Sequence, residues 1–176
     1  MADEAFESFL EANREAQLAM GAAAGDDLYA GSPFEWIRKI ASSRRRGKAG
    51  EVLAAAWLGR LGFDVGPPVS SGHDRLVNSR KVEIKFSTLW NGSNYVFQQL
   101  RDQDYELVVL MGLSPTTAHA WIVPKADAIA NSVPQHGGAA GTDTRWIAFP
   151  ADTPPGWLRQ FGGEISAAEA VARRVF

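Results

Sequence analysis

The chain has 176 residues, 45% of them hydrophobic and 22% charged, values usual for one soluble domain and far from those of a disordered segment or a fibre. It contains no cysteine, which excludes disulfides, thiolate zinc sites and cysteine nucleophiles and fits a reducing, cytoplasmic setting. No apolar stretch reaches the roughly 18 residues that a membrane span needs, and the acidic, periodic start MADEAFESFLEANREAQL reads as neither a secretory signal nor a transit peptide.

The formal net charge of -2 conceals a segregation. Residues 1–30 carry seven acids against one base, whereas residues 35–85 carry eleven bases against five acids. A basic middle in a mildly acidic chain is how a polyanion-binding face would look; charges spread over a solvated surface would look the same.

Phe6, Phe9, Leu10, Gln17 and Met20 recur at roughly helical spacing and predict an amphipathic helix over 3–20, ended by the run Gly21 to Gly25 and available as a partner or dimer element. Residues 1–32 are expected to form a helical extension to a single domain over 33–176. Ser32-Pro33-Phe34-Glu35 combines an N-cap, a proline at the first helical position and a capping-box glutamate, and predicts a helix over about 33–42. GKAGEVLAAAWLGRLGF predicts a longer helix over about 45–61, stopped by Gly62.

Beyond residue 62 the pattern changes. Phe63-Asp64-Val65 reads as a short strand broken by Pro67-Pro68, and DRLV and KVEIKFS flank Asn78-Ser79 as a hairpin. YVFQQLRDQDY is expected to be a helix or helical turn. ELVVLMGL reads as a buried strand, AHAWIVP as its neighbour and TRWIAF as one more. Pro154 to Phe161 and Ser166 to Phe176 are predicted helical, the second opened by a capping box of Ser166 and Glu169. HGGAAGTDT (136–144) is a glycine-rich loop, suited to approach a nucleic-acid backbone or simply to connect. The order of elements predicts an α/β domain around one mixed sheet.

The hairpin holds the candidate chemistry. Along KVEIKF, Val82, Ile84 and Phe86 share one face and Lys81, Glu83 and Lys85 the other. A two-residue loop at Asn78-Ser79 pairs Val77 with Arg80, Leu76 with Lys81 and Arg75 with Val82, and so sets Asp74 opposite Glu83. Two carboxylates so placed repel. A divalent cation would relieve the repulsion, and oxygen-only ligation suits magnesium, with manganese as a substitute. Lys85, one pleat on, is placed to orient a water or stabilise charge developing on a phosphate. A solvated amphipathic strand explains the same residues more blandly. Glu51 stands on the stripe of Ala54, Ala55, Leu58 and Leu61, so a carboxylate at the head of a buried stripe needs a partner, unless the helix dipole alone favours it there.

The succession GKAGEVLAAAWLGRLGF, GHDRLV, KVEIKFS, a helix and ELVVLMGL resembles the PD-(D/E)XK nuclease superfamily over about residues 45–125. The resemblance implies a restriction-endonuclease-like core, a central mixed sheet flanked by helices. It makes Asp74 the acid of the "PD" pair, Glu83 and Lys85 the E-x-K, and Glu51 the glutamate of the first core helix; His73 stands where the motif has proline. It implies a magnesium-dependent endonuclease hydrolysing double-stranded DNA, in the first place a sequence-specific type II restriction enzyme working as a homodimer. Asp74, Glu83 and the Ile84 carbonyl would then be metal ligands. A structure-specific or repair nuclease of the same fold, or a non-catalytic DNA-binding module, is the alternative.

Candidate DNA contacts are Arg44, Arg45, Arg46 and Lys48, where the chain enters the Glu51 helix, and Gln98, Gln99 and Arg101 on the helix expected after the hairpin. Each also reads as an ordinary exposed side chain. Trp57, Trp121 and Trp146 are assigned to packing.

Overall fold

The structure is a computed structural model describing residues 2–20, 28–135 and 143–176. The expected stop at Gly21 to Gly25, and most of the glycine-rich stretch 136–144, lie outside the described residues.

The chain begins with helix α1 (Ala2–Met20), followed by the short α2 (Glu35–Arg38) and by α3 (Ser43–Arg60). Helix α1 buries Phe9, Ala12 and Ala16 against α3, and Arg60 of α3 pairs with Glu11 and Glu15. Helix α2 is shorter than the expected 33–42. Ser32 Oγ accepts from Phe34 N–H at 3.0 Å and Glu35 Oε2 from Gly31 N–H at 3.0 Å, but the chain leaves the helix after Arg38, buries Ile40 and sets Ser42 to cap α3. Ser42 Oγ accepts from Arg45 N–H at 3.4 Å, so α3 begins at Ser43, two residues before the expected start at about 45. Gly62, at φ +92°, ends it.

Strand β1 (Val65–Gly66) pairs with β2 (Arg75–Val77), and β2 with β3 (Arg80–Thr88), in the register expected: Arg75 opposite Val82, Leu76 opposite Lys81, Val77 opposite Arg80. Asn78 and Ser79 both take positive φ, +45° and +68°, the twist a two-residue hairpin loop requires. Asn78 tolerates this because its amide group is used: Oδ1 accepts from Asp64 N–H at 2.9 Å and Nδ2 donates to Phe176 O at 3.0 Å.

YVFQQL is not helical. It forms β4 (Asn94–Leu100), with Tyr95 and Phe97 buried and Val96 and Gln98 turned away. The aromatic alternation suits a strand, and the partner that decides it comes from far along the chain. Residues 101–106 are irregular. Strand β5 (Leu107–Leu113) is buried throughout and runs parallel to β3; β6 (Ala118–Pro124) is antiparallel to β5. After α4 (Lys125–Ala130) and β7 (Val133–Pro134) comes β8 (Arg145–Pro150), which pairs with β4, Tyr95 opposite Phe149 and Phe97 opposite Ile147. The chain closes with a 3-10 helix over Gly156–Phe161, β9 (Gly162–Glu164) and α5 (Ile165–Val175). Glu164, not Ser166, precedes α5, without a side-chain cap, and Glu169 pairs with Arg173 at 2.8 Å instead of closing a capping box.

The described strands therefore make two sheets, not one. A mixed six-stranded sheet runs β1-β2-β3-β5-β6-β9, and a three-stranded sheet β4-β8-β7 lies apart from it. Helices α1, α3 and α5 pack one face of the large sheet through Val82, Ile84, Val109, Met111 and Ile122. The opposite face, through Val108, Leu110, Trp121 and Val123, packs on Tyr95, Phe97, Ile147 and Phe149 of the small sheet, with the Trp121 and Phe149 rings perpendicular at 5.3 Å. Burial on both faces accounts for the unbroken apolar run of β5. Among the described residues no helix is long and apolar enough to cross a membrane.

Candidate functional site

Strand β2 accompanies β3 only as far as Val82, while β3 continues to Thr88. Beyond Val82 the edge of β3 that faced β2 carries no further strand, and an open groove of about 760 Å³ lies along it. The entrance to α3 supplies Ser43, Arg44, Arg46, Gly47 and Glu51 to its lining, and the far end of β3 with β4 supplies Trp90, Asn91, Val96, Gln98 and Gln99. Asp74, Ile84 and Lys85 lie between them.

The approach of α3 is set by Gly50. A Cβ there would overlap the Cβ and ring carbons of Phe86, so only glycine brings this turn of the helix onto the strand and Glu51 to the groove. The stripe of α3 that meets the sheet is Gly50, Leu53, Ala54, Trp57 and Leu58, with Glu51 at its margin.

Asp74 N–H donates to Val82 O at 3.0 Å, continuing the ladder one step, and Asp74 Oδ2 accepts from Ile84 N–H at 2.8 Å. The carboxylate thus takes the place of the missing strand at Ile84. Because a strand residue turns its amide and carbonyl to the same edge, the Ile84 carbonyl faces the groove beside Asp74. Lys85 Nζ lies 2.7 Å from Glu83 Oε1, and Glu83 is only 7% exposed. Burial raises the pKa of Glu83 above the usual carboxylate value; Lys85 opposes the shift, and the negative charges of Asp74 and Glu51 add to it. All four expected chemical residues are therefore within electrostatic reach of one another.

Glu51 finds its partners in two bases. Arg75 and Lys48 both pair with it, the latter at 2.8 Å, and Arg75 also donates to Asp74 O at 2.7 Å. Arg75 ties α3 to the start of β2 and belongs to the site, although only its charge was evident from the sequence. Period-two alternation held the signal: with Asp74 on the Glu83 face, its neighbour turns toward α3. His73, at the motif's proline position, is 4% exposed; its Nε2 accepts from Val69 N–H at 3.2 Å and its Nδ1 meets Ser70 Oγ at 3.3 Å, fixing the loop that delivers Asp74.

Among the described residues no three Asp, Glu or His side chains gather closely enough to hold a metal ion by themselves. The oxygen set here is the Asp74 carboxylate and the Ile84 carbonyl in the groove lining, with the Glu83 carboxylate outside the lining and paired with Lys85. A hard divalent cation suits that set, since the mutual repulsion registered at Glu83 is what such a charge relieves.

The expected DNA contacts divide. Arg44 and Arg46 line the groove, as does Arg38, which donates to Thr88 Oγ1 at 3.2 Å. Arg45 is exposed outside the lining, and Lys48 is occupied by Glu51. Gln98 and Gln99 reach the groove from a strand, not from a helix; Gln99 sits in a register slip at φ +57°, which re-aims its side chain. Arg101 lies in the irregular segment that follows, exposed and away from the groove. Trp57 and Trp121 are buried, and Trp146 is partly so.

No known family model matches the chain, and no curated protein aligns with it significantly.

Proposed function

We propose that the protein is a magnesium-dependent endonuclease on a restriction-endonuclease-like core, with Asp74, Glu83 and Lys85 at the cleavage centre. The observation that carries this reading is the junction at the free edge of β3: Asp74 Oδ2 on Ile84 N–H at 2.8 Å, with the Glu83–Lys85 pair at 2.7 Å one pleat to either side. The hairpin register and the arginines at the entrance to α3 support it.

Asp74, Glu83 and the Ile84 carbonyl would hold magnesium. Bound there, the ion would polarise a scissile phosphodiester and acidify the attacking water. Lys85 would orient that water and offset charge growing on the phosphorus oxygens, its ammonium held in place by Glu83. Glu51 would steady the site through Arg75, which grips the Asp74 backbone. Arg38, Arg44 and Arg46 would hold the DNA backbone along the groove. In the fullest form of this reading the protein is a sequence-specific type II enzyme that cuts double-stranded DNA as a homodimer, one site per strand.

Incubation with plasmid and mixed genomic DNA, in magnesium and in chelator, tests it. Magnesium-dependent cutting is expected, lost in Glu83→Ala and Lys85→Ala while DNA binding persists. Discrete bands would mark sequence-specific cutting. Cutting that survives both substitutions, or none by the parent protein, would end the assignment.

A further inference from the structure

We propose that Trp90 is a base-stacking subsite on the lip of this groove, so that the bound DNA presents one unstacked nucleobase to the indole. The inference rests on the nuclease reading and adds a preference for DNA containing an unpaired nucleotide.

Trp90 is 48% exposed, whereas Trp36, Trp57 and Trp121 are buried and Trp146 and Trp157 are partly covered. Leu18, Leu28, Val69 and Val133 are also large, apolar and exposed, but none of them lines the groove; Trp90 does. Isolated exposed apolar residues are ordinary on a protein surface. What distinguishes this one is its setting.

The turn that carries Trp90 is built without its ring. Trp90 N–H donates to Asn94 O at 2.7 Å, Asn94 N–H to Trp90 O at 3.0 Å and Ser93 N–H to Trp90 O at 3.1 Å. Asn91 and Gly92 supply the positive φ values, +50° and +74°, and Ala151 N–H holds Ser93 O at 2.9 Å. Backbone bonds therefore fix the Cα of Trp90, and any side chain there would leave them intact. Among the described residues the indole meets no other ring and no cation. Its backbone is held in place, and 48% of its surface is open to solvent.

The groove is two-sided. Arg38, Arg44 and Arg46 come from α2 and α3, the helical side, and suit phosphates. Trp90, Asn91, Gln98 and Gln99 come from the β3–β4 side and present an aromatic face with neutral amides, the chemistry that meets bases. Trp90 lies five positions beyond Lys85, about 16 Å along an extended strand at roughly 3.3 Å per residue, or about five base-pair rises of B-form DNA at roughly 3.4 Å each. Within a paired duplex both faces of every base are covered by neighbours. An indole can stack only on a base already unpaired or drawn out of the helix, and drawing it out costs binding energy.

The test uses the full chain in chelator, with two oligonucleotide duplexes that differ by a single unpaired 2-aminopurine. The parent protein is expected to bind the bulged duplex more tightly and to quench the 2-aminopurine emission. Trp90→Ala should weaken binding of the bulged duplex about ten-fold while changing the paired duplex by no more than about two-fold, and Trp90→Phe should restore most of the loss. Equal effects on the two duplexes, or no effect on either, would overturn the stacking subsite. Magnesium-dependent cutting of either duplex by the parent protein in that event would leave the nuclease reading standing; a protein that neither binds nor cuts either duplex would remove both.

Discussion

The carboxylate of Asp74 accepts the Ile84 N–H at 2.8 Å, standing in for a strand that begins only at the next residue, Arg75. This bond serves the fold and the candidate chemistry at once, because it satisfies a backbone donor and brings an oxygen anion beside the Ile84 carbonyl. Asp74→Asn separates the two roles. Its amide oxygen can still accept from Ile84, so stability should change by about 1 kcal/mol or less. Loss of the charge should bring the Glu83 pKa down, since the Asp74 charge helps to raise it, and, if the protein cuts DNA as proposed, should abolish cleavage. Carboxyl-carbon NMR titration reads the first effect and a plasmid assay the second.

Glu83 gives the pH dependence its sign. Its folded pKa is raised, so between the unfolded value and the folded value the native state binds a proton that the unfolded chain has released. Stability contributed by this group is full below the unfolded value and falls as pH rises through that window. If magnesium binds as proposed it needs the carboxylate, so metal affinity should move the opposite way, falling as pH drops through the raised Glu83 value. Lys85→Met removes the cation that opposes the shift and should carry both transitions to higher pH. Urea unfolding and magnesium titration across pH separate them.

Gly50 faces Phe86 with no room for a methyl group. On helix propensity alone Gly50→Ala should gain about 1 kcal/mol. The atoms it would strike are the Cβ and inner ring carbons of Phe86, which cannot swing aside, and overpacking of this kind costs about 1–3 kcal/mol. Net destabilisation is expected, and, if the groove holds a metal as proposed, weaker metal binding as α3 is pushed from β3. Pairing Gly50→Ala with Phe86→Ala, which removes Cγ and the ring and leaves only Cβ, should recover part of the loss in urea denaturation.

Arg75 and Glu51 are 17% and 13% exposed at their side chains, so their pairing is only weakly screened. Arg75→Met should destabilise the fold by about 1–3 kcal/mol, less than the roughly 3–5 kcal/mol of breaking a fully buried pair, because Lys48 still meets Glu51. A double-mutant cycle with Glu51→Gln measures the coupling, and a value near zero would show that Arg75 acts through the Asp74 carbonyl alone.

Arg44 and Arg46 line the groove and Arg45 does not. If the groove takes DNA, Arg44→Ala and Arg46→Ala should each flatten the salt dependence of binding by about one unit of slope, and Arg45→Ala should change it less. Fluorescence anisotropy at graded salt makes the comparison.

The residues 74–86 determined their own arrangement. Alternation in KVEIKF and a turn dipeptide able to take positive φ set the hairpin register, and with it the juxtaposition of Asp74, Glu83 and Lys85; all of these are local constraints, legible over a dozen residues. Helix α3 was legible for the same reason, through its period and its stop at Gly62. What the chain could not show locally was the second sheet. YVFQQL contains residues compatible with a helix, and it became a strand because Phe149 and Ile147, some fifty residues away, offered edge hydrogen bonds and aromatic faces to Tyr95 and Phe97. That pairing covers the sheet face that Glu83 shares, which is why Glu83 is buried instead of solvated. It also brings Gln98, Gln99 and Trp90 to the groove and leaves Arg101 outside it. The partner of Glu51 was likewise decided by how closely Gly50 lets α3 meet β3. Short-range patterning chose the chemical groups; long-range packing chose their surroundings, because burial and charge pairing depend on contacts that no local window of sequence contains.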